Sequence, residues 1–232
     1  MLPIKDTIRS RSFPIVTWLL IIANGLIFFY ELSLSPAGLQ RFVLTFGLVP
    51  ARVDLQNPLT WMPFFTHMFL HSGWFHFISN IWIFHIFGDN VEDRMGSGRF
   101  LLFYLLGGIA AGALQTAADP ASTLPAIGAS GAIAATLGAY FISFPRARVI
   151  TLVPLFLVPW IVEIPAIVFL GFWFVSQLFS GFLSLATPSQ AAVGGVAWWA
   201  HIGGFVFGLL VALPFSIRKP KRREFMDEYY PW

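Results

Sequence analysis

Gly128-Ala129-Ser130-Gly131-Ala132-Ile133-Ala134-Ala135-Thr136-Leu137-Gly138-Ala139-Tyr140-Phe141-Ile142-Ser143-Phe144 runs from 128 to 144 without a charged side chain. Such a segment reads as a short membrane helix, a little under the roughly 20 residues a full crossing needs. Ser130, Ala134 and Gly138 share one helix face, and small faces let backbones approach closely. One residue stands out: Ser130 places a hydroxyl at the mouth of an apolar span, where polar groups are functional-site candidates by default.

The rest of the chain supports a membrane setting. Of its 232 residues, 57% are hydrophobic and only 11% are charged. Soluble domains carry about 25% charged residues, so this chain lacks the groups to coat a water-facing surface. The absence of cysteine excludes disulfides, zinc–thiolate sites and cysteine nucleophiles. Six apolar segments suit spans: 13–33, 67–88, 99–117, 129–144, 163–184 and 193–216. The expected fold is an all-α polytopic membrane protein. It has a cytoplasmic segment 1–12, a six-helix membrane domain 13–216 and a basic tail 217–232. The first span follows Lys5, Arg9 and Arg11 and reads as a retained signal anchor, since it is too long for a cleaved h-region.

Basic residues alternate between loops. The N-terminus, the second and fourth loops and the tail carry 12 of the 14 Lys and Arg residues; only Arg41 and Arg52, in the first loop, lie on the other side. The positive-inside rule puts both termini in the cytoplasm. The net charge of +3 therefore reads as topology rather than nucleic-acid binding, and the tail Lys219–Arg223 as contact with lipid headgroups.

Segment lengths then give depths. At about 1.5 Å per residue, Ser130 lies roughly 22 Å above Pro145, His201 roughly 26 Å above Arg218, and His76 roughly 20 Å above Asp89. All three fall at similar depth beneath the outer surface, which predicts a single site. Alone, Gly-Ala-Ser-Gly reads as a packing patch; with His201 at matching depth it reads as a nucleophile and its base. His201, Gly204 and Gly208 share a face that can meet the small face of the Ser130 span. His76 and Asn80, at i and i+4, can both donate hydrogen bonds to a developing oxyanion. The preceding Asp119-Pro120 and Pro125 predict a loop that dips into protein or a water-filled cavity.

Two alternatives fall short. His67 and His71 have the spacing of a zinc helix, but Met68 occupies the glutamate position and no third ligand follows, so no metal or other cofactor is expected. A small-solute transporter is weakened by the lack of intramembrane carboxylates and inverted repeats. Acids outside the cytoplasmic segments are confined to Glu31, Asp54, Asp119 and Glu163. A Ser–His dyad is the economical reading.

Together these residues resemble the rhomboid family of intramembrane serine proteases, over about residues 60–210. Gly128, Ser130 and Gly131 match its Gly-x-Ser-Gly motif, and Ala200, His201, Gly204 and Gly208 its histidine segment. His71, His76 and Asn80 match its His-x4-His-x3-Asn segment. Gly88–Gly96 is similar to the turn after the family's second helix. The resemblance implies a Ser130–His201 dyad, with His76, Asn80 and the Ser130 N–H as oxyanion hole. His71, Gly128 and Gln115 would line the site, Gln115 helping to hold water, and Gly131, Gly204 and Gly208 would pack helices. It implies transmembrane protein substrates cut near the outer surface, a first loop (34–66) partly in the outer leaflet, and a fifth helix serving as lateral gate. Localisation would be a prokaryotic plasma membrane; oligomeric state is left open. A catalytically inactive rhomboid-like binder of transmembrane clients is the alternative. Two positions depart from the family: Ala134 replaces a tyrosine that stacks on the histidine, and Trp61 is followed by Met62-Pro63 rather than arginine.

Overall fold

In the computed structural model, residues 1–54, 56–155, 158–186 and 196–217 are described. The expected tail 217–232 therefore lies almost wholly outside the described residues. The chain begins with a strand, β1 (Leu2–Asp6), and enters helix α1 (Ile15–Ser33). An amphipathic helix α2 (Pro36–Phe46) and short turns, including α3 (Pro63–Thr66), lead to α4 (Trp74–Met95) and α5 (Ser97–Ala118). After α6 (Ser130–Ser143) come strands β2 (Arg148–Leu155) and β3 (Val158–Pro165), then α7 (Ala166–Ala186) and α8 (Trp198–Ile217).

The molecule is mostly helical and built as a membrane protein. Helices α1 and α5, and Ala166–Leu185 of α7, are each long and apolar enough to cross a membrane; α6 and Trp198–Pro214 of α8 are shorter apolar helices. Leu19, Ile22, Leu26 and Phe29 of α1, and Phe172, Val175, Phe179 and Phe182 of α7, point outward from the bundle. So much exposed apolar surface is stable only against lipid.

Helix α6 sits at the centre, with Gly131 through Tyr140 all buried. It packs most extensively on α8 through glycines. A Cβ at Gly204 would meet the Gly131 carbonyl, one at Gly208 the Ala135 carbonyl, and one at Gly138 the Phe205 carbonyl. Gly131 is tight on its other side too, where a Cβ would stand 2.6 Å from that of Ala111 on α5. Only hydrogen side chains allow such backbone contact.

Glu92, 1% exposed, ties α1 to α4. Pro14, before α1, offers no capping side chain. Instead the Glu92 carboxylate accepts from Val16 N (3.0 Å), Thr17 N (2.8 Å), Thr17 Oγ1 (2.9 Å) and Ser97 Oγ (2.6 Å). The first amides of α1 thus gain both partners and a negative charge at the positive end of the helix dipole.

Three expectations need correction. The fold is not all-α: β1, β2 and β3 form an antiparallel sheet in that order. Val149, Ile150 and Thr151 pair with Ile164, Glu163 and Val162, a β-branched composition suited to strands. Mere apolarity had assigned residues 163–165 to a helix, which starts only at Ala166. Within segment 1–12, Leu2–Asp6 pairs with β2. Gly88–Met95 is helix rather than turn; the turn is Gly96, whose φ of +83° is left-handed and costs glycine little.

Asp6 anchors this sheet to the bundle, accepting from Tyr140 Oη (2.6 Å) and Asn90 Nδ2 (2.9 Å). Burial, aided by nearby Asp89, pushes its carboxyl from 3.8 up to about 6, against the opposing Tyr140 bond.

Candidate active site

The end of the bundle opposite the sheet gathers the expected site residues. Ser130 is the first residue of α6, His201 the fourth of α8, His76 the third of α4, and Gln115 lies near the end of α5. The approach to Ser130 is irregular backbone held by hydrogen bonds. Leu48 and Ala126 exchange N–H···O bonds of 3.0 and 2.8 Å, Ala51 N donates to Ser122 O, and Gly128 N donates to His67 O at 2.9 Å. Gly128 has φ +123°, a conformation that side chains rarely adopt. These bonds satisfy a loop that would otherwise carry orphaned amides among apolar helices.

Ser130 Oγ lies 2.8 Å from His201 Nε2. At this distance, an imidazole nitrogen with a free lone pair can take the serine proton as the oxygen attacks a carbonyl. Both side chains are half-buried. Their separation is set by α6 and α8, which touch backbone to backbone.

His76 reaches the same place from α4. Its Nδ1 faces Ser72 N (3.4 Å) and Ser72 Oγ (3.1 Å). An amide N–H can only donate, so Nδ1 accepts and Nε2 carries the hydrogen. A Cβ at Gly128 would stand 2.6 Å from His76 Nε2 and 3.6 Å from Ser130 Oγ, so the ring edge and the serine flank one glycine. One turn on, Asn80 is 6% exposed and its Nδ2 has no hydrogen-bond partner among the described residues. A buried unpaired donor is costly and rare. With the first amides of α6, which lack intrahelical partners, these donors suit an oxygen that becomes negative during reaction.

Other expected residues take different places. Gln115 Oε1 accepts from Ala200 N (3.2 Å), next to His201, and borders a cavity of about 210 Å³ shared with Asp119, Ser122 and Trp199. His71 is one ring removed from the serine: it packs against His76, Phe28 and Phe77, and its backbone N–H donates to the Glu31 carboxylate (3.1 Å). His67 and His71 do not share a helix face. His67 is in a 3₁₀ turn with Nδ1 on Pro63 O (2.8 Å), and Leu70 is extended.

Sequence reasoning overlooked two side chains of α7. Gln177 Oε1 lies 2.8 Å from His201 Nδ1. Trp173 approaches the His201 ring at 5.9 Å with 36° between planes, while Trp198 meets it edge-on at 6.2 Å. The third partner was sought among acids alone, which hid a neutral amide. Ala134 cannot be the aromatic neighbour: it is fully buried in the α6–α8 contact, 3.2 Å from where a Gly204 Cβ would sit. The rings come from α7 and α8 instead.

A family profile described as Rhomboid domain matches residues 58–218. The chain is 30% identical over 111 residues to the chloroplastic rhomboid-like protein 11 of Arabidopsis thaliana, across 48% of this chain and 39% of that one. It is 30% identical over 131 residues to the putative rhomboid protease YdcA of Bacillus subtilis (strain 168), across 56% and 62%. It is 26% identical over 221 residues to the rhomboid protease GlpG of Salmonella choleraesuis, across 95% and 70%. The chain thus spans less than two thirds of the length of the first two relatives.

Proposed function

The chain belongs to the rhomboid family, and from that premise we propose that it is an intramembrane serine endopeptidase acting through Ser130 and His201. The observation that carries this reading is the 2.8 Å contact between Ser130 Oγ and His201 Nε2 at the polar end of an apolar bundle. His201 takes the hydroxyl proton as Ser130 attacks the scissile carbonyl. The carbonyl oxygen becomes an oxyanion held by His76 Nε2–H, Asn80 Nδ2–H and the Ser130 amide. His201 then protonates the leaving amine, and water, drawn from the cavity beside Gln115, hydrolyses the acyl-enzyme.

The substrates of this reading are membrane-anchored proteins, cut near the outer surface. Six membrane helices, α1 and α4 to α8, would carry both termini to the cytoplasm, a reading supported by the placement of the basic residues. The bacterial relatives YdcA and GlpG support a prokaryotic plasma membrane.

The test is labelling of purified, detergent-solubilised protein with a fluorophosphonate probe. Wild type is expected to label, and Ser130→Ala and His201→Ala to lose labelling while remaining folded. Folded wild type that stays unlabelled in both detergent and lipid would favour a non-cutting binder of transmembrane clients.

A further inference from the structure

A histidine base must present a lone pair to the serine, and the dyad alone does not decide which ring nitrogen carries the hydrogen. The neighbours of Gln177 decide it. Gln177 is 6% exposed on α7. Its Nε2 donates to Trp173 O (3.3 Å) and Ser176 Oγ (3.0 Å), and Ser176 Oγ itself donates to Trp173 O (2.6 Å). Flipping the amide would set its oxygen against the Trp173 carbonyl, oxygen to oxygen. The amide is therefore held with Oε1 toward His201 Nδ1, at 2.8 Å.

An amide oxygen only accepts, so Nδ1 carries the hydrogen. A neutral imidazole has one N–H, which leaves Nε2 with its lone pair facing Ser130 Oγ. Resting on the protease reading above, we propose that Gln177 is a positioning residue that locks His201 in the base-competent tautomer and orientation. It acts on Ser130 only through the imidazole. A neutral amide does this without placing a charge in an apolar site, where a carboxylate is costly. Trp173, one turn away on the same helix, limits tilting of the same ring.

The assignment has a structural consequence. The serine and histidine are held by α6 and α8, whereas the lock comes from α7, whose outer side carries the exposed Phe172, Val175 and Phe179. Displacing α7 from α8 would release the tautomer lock and leave the glycine-packed dyad in place.

The test uses full-length protein and saturation kinetics of fluorophosphonate labelling, in wild type, Gln177→Met, Gln177→Glu, Ser130→Ala and His201→Ala, with thermal unfolding of each. Gln177→Met keeps the length and removes the acceptor; Gln177→Glu keeps an acceptor. General-base assistance as a whole supplies about 10²–10⁴-fold, so Gln177→Met is expected to lower the maximal labelling rate roughly 10- to 100-fold with half-saturation unchanged. Gln177→Glu is expected to label at close to the wild-type rate. Nitrogen-15 spectra of histidine-labelled protein should show His201 as the Nδ1–H tautomer in wild type and as a mixture in Gln177→Met. Wild-type labelling by Gln177→Met overturns the lock. So does equal loss in the Met and Glu variants, which marks a packing role, or an unchanged tautomer in Gln177→Met. Labelling that persists in Ser130→Ala sinks the protease reading itself, and this inference with it.

Discussion

Gly208 of α8 lies against the carbonyl of Ala135 on α6, so close that a Cβ at 208 would clash with that oxygen. This backbone contact, one helix turn beyond Gly204 on the same face, sets the spacing of the helices that carry Ser130 and His201. Inserting even a methyl group must push α8 away. Gly208→Ala is expected to lower stability by about 1–3 kcal/mol, the usual range for overpacking, and to slow fluorophosphonate labelling by more than its loss of folded protein explains. Thermal unfolding and labelling of the same preparation separate the two effects.

Asn80 should behave in the opposite way. Its Nδ2 has no hydrogen-bond partner among the described residues, so Asn80→Ala removes none of the hydrogen bonds seen there. Its melting temperature should fall by only a few degrees, while cleavage of a membrane-anchored reporter slows about 10²–10³-fold, the typical loss for one oxyanion donor. Cleavage at the wild-type rate would remove Asn80 from the oxyanion hole.

Glu92 is a stability residue far from the chemistry. Four donors converge on its carboxylate. Hydrogen bonds to charged groups contribute roughly 1.5–3 kcal/mol, and orphaned buried donors add a penalty. Glu92→Ala is therefore expected to cost about 2–4 kcal/mol in denaturant unfolding, with the specific activity of the surviving folded protein unchanged. A variant as stable as wild type would refute the cap.

Asp6 gives the fold a pH dependence of definite sign. Burial first, and Asp89 second, raise its carboxyl from 3.8 to about 6 despite the Tyr140 hydrogen bond. Between those values the folded state binds more protons than the unfolded one, so this contribution to stability is complete below about 3.8 and is lost as pH rises through about 6. Asp6→Asn should flatten that part of the curve, read as melting temperature against pH. Curves that run parallel for the two proteins would remove Asp6 as the source.

Much of this molecule is legible along the chain because membranes impose simple rules. Apolar runs marked the helices α1, α5, α6, α7 and α8 to within a few residues, since a span must satisfy its own backbone bonds. Depth counting also grouped Ser130, His201 and His76, because helix length converts directly into height. Two misreadings have local causes. Residues 163–165 adjoin the apolar run of α7, and hydropathy does not distinguish the end of a β-strand from a helix entrance; pairing with Arg148, Val149 and Ile150 does. The turn expected at Gly88–Gly96 proved to be helix up to Met95, where Gly96 alone supplies the left-handed backbone.

Sequence by itself determined the membrane setting, the alternation of basic residues between loops and the small faces along which α6 and α8 approach, because each of these is local or periodic. Tertiary structure decided the rest of the site. Gln177 precedes His201 by 24 residues, with segment 187–195 between them, and nothing periodic relates the two. Their contact depends on how α7 is rotated against α8, and the amide's direction on the Trp173 carbonyl one turn away. Likewise Glu92 can cap α1 only because the folded chain brings the end of α4 to the start of α1. Hydrogen bonds between distant elements depend on distance and angle, and those are set only when the helices pack.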